Sequence, residues 1–173
     1  MTHAAAASAS ELASRVISEL TRRGMTIAVA ETLTGGLVVA ELVSVPGASA
    51  VVRGGVVAYA TELKSSLLGV DAELLAEKGA IDPEVARQMA AGVRRRLGHD
   101  GVPADIGLAT TGVAGPDGQD GHPVGEVWVG IAIGDLVEAR GLTLGGDRAS
   151  IRTATVSESL KYLLEHLLGG PTE

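Results

Sequence analysis

Met25-Thr26-Ile27-Ala28-Val29-Ala30-Glu31-Thr32-Leu33-Thr34-Gly35-Gly36-Leu37-Val38-Val39 decides the architecture. Residues 26–30, apolar from Ile27 onward, read as a short strand buried on both faces. Residues 31–36 are a turn rich in hydroxyls, and Leu37, Val38, Leu42 and Val43 open a helix behind it. A strand that is apolar on both sides needs a cover on each, so strand, polar turn and helix in direct succession argue for a sheet between two helical layers.

Working outward, Leu12, Val16, Ile17 and Leu20 recur at helical spacing until Gly24 stops that helix. Downstream, residues 54–60 read as a second strand, Thr61 as the cap of a helix reaching Leu67, and residues 72–77 as a further short helix. Asp82-Pro83 marks a helix start, because aspartate accepts from free amides and proline suits the first helical position. Val85, Met89 and Val93 mark its buried face, and Gly98 its end. Residues 105–110 are another buried strand, followed by a loop over 111–123. Residues 124–133 and 136–144 pair as a hairpin through Gly134-Asp135, which makes the sheet mixed. The last helix covers 147–168. The expected fold is α/β, a three-layer α/β/α arrangement with a mixed sheet. Residues 1–9 are expected as a flexible N-terminal tail, 10–168 as a single domain, and 169–173 as a C-terminal tail.

The chain of 173 residues is 46% hydrophobic, with a mean hydropathy of +0.29, enough for a core in one domain. Phenylalanine is absent, so the core must be built from Ala, Val, Leu and Ile, and small side chains imply closely packed layers. A net charge of −7 and few aromatic rings argue against a nucleic-acid partner. The basic cluster Arg94-Arg95-Arg96, with Arg87 before it, falls at the end of a helix, where cations suit the dipole. Without cysteine there is no disulfide, thiolate metal site or thiol nucleophile. Met1 to Ser8 lacks the pattern of a signal peptide, and no apolar run approaches the length of a membrane span. The expected location is cytoplasmic, with no membrane partner.

Ser49, Tyr59 and Lys64 supply a hydroxyl, a phenol and an amine around an apolar run, without histidine. A desolvated lysine can lose its proton and activate a serine, which is hydrolase chemistry without a metal, and its rate should rise with pH. Thr34, Gly35 and Gly36 stand where a helix begins and suit either a tight cap or a phosphate or carboxylate. The loop from Thr110 to Pro123 is long for a compact fold and suits ligand binding or a solvent-exposed Ω-loop. At Gly146-Asp147-Arg148, Asp147 caps a helix, while Arg148 suits a forked pair with phosphate or carboxylate, or a surface salt bridge. His99 and His122 stand alone, so no metal site is expected.

Ala30-Glu31-Thr32-Leu33-Thr34-Gly35-Gly36, Pro46-Gly47-Ala48-Ser49, Tyr59-Ala60-Thr61-Glu62-Leu63-Lys64, Gly112 to Gly118, Pro123 to Trp128 and Gly146-Asp147-Arg148 occur in that order. Together they resemble the CinA C-terminal-domain family over about residues 10–168. This family includes nicotinamide-nucleotide amidohydrolases. The resemblance implies a CinA C-terminal-domain-like fold and hydrolysis of nicotinamide mononucleotide to nicotinic acid mononucleotide and ammonia. On it, Ser49 is the nucleophile and Lys64 its base, while Tyr59 positions Lys64 or passes a proton to the departing ammonia. Thr32, Thr34, Gly35, Gly36, Thr61, Thr111, Gly112, Ala114, Gly115 and Arg148 form the substrate-binding set. No cofactor and no metal are implied; the partners are a small-molecule nucleotide substrate and further copies of the chain in a homo-oligomer.

The chain departs from the family pattern at four places. Thr32 stands where serine is usual, Leu33 where cysteine is frequent, Thr61 where asparagine is common, and Thr111 where serine often stands. The resemblance also implies that the N-terminal nucleotide-processing domain of longer CinA proteins has no counterpart in these residues. The alternative is a noncatalytic nucleotide-binding or regulatory CinA-like module.

Overall fold

The computed structural model describes residues 7–169. Five strands form one sheet in the order β2-β1-β3-β4-β5. β1 (Ile27–Glu31), β2 (Val52–Val57) and β3 (Ile106–Gly112) run parallel; β4 (Glu126–Ile133) and β5 (Leu136–Thr143) add an antiparallel hairpin. α1 (Ala9–Arg23), α2 (Leu37–Val43) and α6 (Arg148–Gly169) cover one face of the sheet; α3 (Thr61–Leu68), α4 (Ala72–Lys78) and α5 (Pro83–Arg96) cover the other. The three-layer mixed-sheet expectation therefore holds.

The two faces differ in side-chain size. Ile27, Val29, Ile106, Leu108, Val129 and Ile131 face α1, α2 and α6, and build the larger core cluster. The alternate positions Ala28, Ala30, Ala109 and Ala132 face α5. α5 comes so close that a Cβ at Gly107 would lie 1.9 Å from the Ala90 carbonyl oxygen, and one at Gly130 2.1 Å from that of Ala86. The alternation of large and small residues thus sets a thick layer on one side and a tight one on the other.

Local signals explain the element ends. Asp82 accepts from the Glu84 and Val85 amides with Pro83 behind it, as the helix-start reading requires. Asp147 likewise accepts from Ser150 N. Ile133 faces Leu136 across Gly134-Asp135, so the expected hairpin is present.

Several expectations need correction. β2 spans 52–57 rather than 54–60, because its one neighbour, β1, ends opposite it at Glu31 and Val57. Thr61 is the first helical residue of α3, not its cap: Ala60 holds that position without a side-chain bond. Thr111 and Gly112, expected in a loop, end β3 because Trp128 and Val127 of β4 pair with them. Ala9 is helical, since Ser8 and Glu11 form a capping box, and α6 runs through Gly169. The remainder of both expected tails, residues 1–6 and 170–173, lies outside the described residues.

Candidate active site

The connections after β1, β2 and β3 converge beyond the carboxyl ends of these parallel strands, where sheets of this kind hold ligands. There a cavity of about 270 Å³ is lined by Thr32, Leu33, Tyr59, Ala60, Thr61, Lys64, Ala80, Ile81, Thr111–Gly115, Asp117, Gln119 and Arg148. Of the residues singled out in the sequence, Thr32, Tyr59, Thr61, Lys64, Thr111, Gly112, Ala114, Gly115 and Arg148 meet on these walls.

Ser49 does not. It sits exposed on a 3-10 turn, Ala48–Ala50, before β2, whereas Lys64 follows β2. The six-residue strand, roughly 20 Å at about 3.3 Å per residue, lies between them. Proximity along the chain misled here: a strand carries the chain from one end of the sheet to the other.

Among the hydroxyl residues on the cavity wall, Thr32 differs from Tyr59 and Thr111 in having no hydrogen-bond partner for its side chain. It follows β1, and parallel strands bring their carboxyl ends to the same edge. Its Oγ1 is the one buried side-chain polar atom among the described residues with no hydrogen-bond partner. Such atoms are rare in folded proteins and call for an explanation.

Lys64, which lines the same cavity, is fully buried. Its Nζ donates to the carbonyl oxygens of Ala58 at 3.0 Å and Tyr59 at 3.5 Å. Burial lowers the Lys64 ammonium from 10.5 to about 8, partly opposed by the charge of Glu62. About a tenth of the amine is therefore neutral at pH 7, and about half at pH 8. Tyr59 meets Lys64 through its backbone alone; its phenol accepts from Arg148 Nη2 at 2.9 Å. Arg148 Nη1 also donates to the Gly115 carbonyl at 2.7 Å, tying the β3–β4 loop to Tyr59. Thr111 is fixed by a 2.6 Å bond to the Ala80 carbonyl.

Thr34, Gly35 and Gly36 do not line the cavity either. The Thr34 hydroxyl is buried against that of Thr110 at 2.8 Å. The helix-start amides are already occupied: the Glu31 carboxylate accepts from Gly36 at 3.0 Å, Val38 at 3.1 Å and Val39 at 2.9 Å. An internal carboxylate thus stands where an external anion was envisaged. Glu31, Asp117, Gln119 and Arg152 were missed from sequence. Glu31 was legible as a charge ending an apolar strand, and Arg152 as the residue one helical turn beyond Arg148. Arg152 Nε donates to the Leu33 carbonyl at 2.8 Å and Nη2 to that of Thr34 at 3.1 Å, holding the turn that carries Thr32.

A family model described as CinA C-terminal domain matches residues 9–167. A CinA-like protein of Frankia casuarinae is 51% identical over 156 residues, covering 90% of this chain and 35% of the relative. A putative competence-damage inducible protein of Halothermothrix orenii is 46% identical, over 86% of this chain and 35% of its own length. The chain thus spans about a third of these curated relatives. Among solved structures, a CinA superfamily protein of Klebsiella pneumoniae superposes with a TM-score of 0.88 at 32% identity, covering 94% of this chain and 99% of that one. The competence/damage inducible protein CihA of Agrobacterium tumefaciens gives 0.83 at 36% identity, over 90% and 93% of the two chains. The chain belongs to the CinA C-terminal-domain family.

Proposed function

We propose that the chain is an amidohydrolase that converts nicotinamide mononucleotide to nicotinic acid mononucleotide and ammonia, with Thr32 as nucleophile and Lys64 as base. The observation that carries this reading is a pair of groups on one cavity: a buried hydroxyl without a partner, and a buried amine whose proton is loosened by desolvation. Threonine is a competent nucleophile when a base takes its proton.

Thr32 Oγ1 bonds to the carboxamide carbon as its proton passes to Lys64 Nζ, and the carbonyl electron pair moves onto oxygen. Collapse of that intermediate breaks the C–N bond, and the Lys64 ammonium returns its proton to the departing ammonia. Water, deprotonated by the same amine, then adds to the ester carbon; collapse breaks the C–Oγ1 bond, Lys64 returns the proton to Thr32 Oγ1, and the acid is released. No hydrogen bond joins Thr32 to Lys64 here; substrate must bring the reacting groups into line, as is usual for empty sites. Arg148 keeps guanidinium donors beyond its two internal bonds, which suits it to the phosphate. Its grip on a remote group would orient the amide. Thr61, Thr111, Gly112, Ala114 and Gly115 form the remaining polar and backbone wall.

Ammonia release from the mononucleotide tests this reading. Wild type and Ser49→Ala are expected to turn over at comparable rates, and Thr32→Ala to lose about a thousandfold or more. Equal rates for Thr32→Ala and wild type would overturn the assignment. Calorimetric binding without turnover in wild type would favour a nucleotide-binding module instead.

A further inference from the structure

The turn after β1 holds two backbone donors with nothing to donate to. Leu33 and Thr34 are buried, yet among the described residues neither N–H meets an acceptor. The amides around them are satisfied: Thr32 N–H donates to the Thr110 carbonyl at 3.0 Å and Gly35 N–H to that of Thr32 at 3.1 Å. Buried amides without a partner are rare, and these two directly follow the unpartnered Thr32 hydroxyl.

The carbonyls of this turn are held from α6, where one guanidinium spans Leu33 O and Thr34 O. Holding these two successive carbonyls fixes the backbone at Leu33 and with it the direction of the Leu33 N–H. Gly35 keeps the guanidinium close: a Cβ there would lie 3.3 Å from Nη2.

We propose that Arg152 is a positioning residue that, by holding the carbonyls of Leu33 and Thr34, fixes the turn so that the N–H of Leu33, a residue of the cavity wall, receives the oxyanion formed when Thr32 attacks. This rests on the amidohydrolase reading. A fixed amide beside the nucleophile stabilises charge where it develops, without reorganisation during the reaction.

The test compares wild type, Arg152→Leu and Arg152→Lys; the lysine variant keeps the charge but cannot span both carbonyls. kcat for the mononucleotide is expected to fall about 10- to 100-fold with KM within about threefold, since the interaction is made in the transition state. Millimolar guanidinium should restore part of the rate in Arg152→Leu, a recovery that a general loss of stability would not show. Unchanged kcat in either folded variant, or a loss carried by KM alone, overturns the proposal. Absence of ammonia release from wild type would defeat the amidohydrolase reading by itself, and amide hydrogen exchange then decides on Arg152. Faster exchange at Leu33 in Arg152→Lys, with β1 and β3 unchanged, supports the positioning role; equal exchange refutes it.

Discussion

At the scale of a single residue, the proposed base Lys64 is buried at a cost to stability. The unfolded chain holds this proton to about pH 10.5, whereas the folded one releases it near 8, because the buried ammonium has lost its water. Between these values the unfolded state binds more protons, so stability rises with pH; below about 8 the full penalty, about 3 kcal/mol, applies. Lys64→Met keeps the length of the side chain and removes the charge. It is expected to abolish activity, raise the melting temperature at pH 7, and flatten the rise in stability between pH 8 and 10.5. A lower melting temperature with that slope retained would show that the amine is a structural strut. On the proposed mechanism the rate of wild type should likewise climb through about pH 8, since a lysine base acts only when neutral. Thr32, the proposed nucleophile, shows the complementary pattern: its buried hydroxyl forgoes a hydrogen bond in the fold.

Elements were legible in the sequence where one local signal dominated. Asp82-Pro83 announced α5, Gly134-Asp135 the hairpin, and the period of Leu12, Val16, Ile17 and Leu20 the first helix. Ends set by a neighbour were not: β2 stops where β1 stops, and β3 is extended to Gly112 by pairing with β4. The close seat of α5 was visible only as a shortage of large side chains, and the structure turns it into a sharp requirement at Gly107. Gly107→Ala drives a Cβ into the Ala90 carbonyl, so thermal unfolding should show a loss of about 3 kcal/mol or more. Gly145, with nothing within 4 Å of the position its Cβ would take, should accept alanine at nearly no change. Similar losses at both positions would mean that helix–sheet spacing is not what Gly107 protects.

Across the whole molecule, the site exists because three parallel strands deliver their carboxyl ends to one edge while α6 grips the loops from the side. Arg148 holds the β3–β4 loop and Tyr59, and Arg152, one turn on, holds the turn carrying Thr32. Residues from five separate stretches meet there, and their separation along the chain says little about their separation in space. Ser49 lies closer in sequence to Lys64 than Thr32 does, yet β2 takes it to the far end of the sheet. The motifs thus marked most of the cavity walls, while which hydroxyl lies on the cavity depended on strand direction and pairing, which no local pattern encodes. Among the described residues, no helix is long and apolar enough to cross a membrane. The most direct test of the account is mass spectrometry of protein quenched in acid during turnover of nicotinamide mononucleotide. The expected result is a nicotinate ribotide ester on the peptide containing Thr32; an ester on Ser49, or continued turnover with neither residue modified, would contradict it.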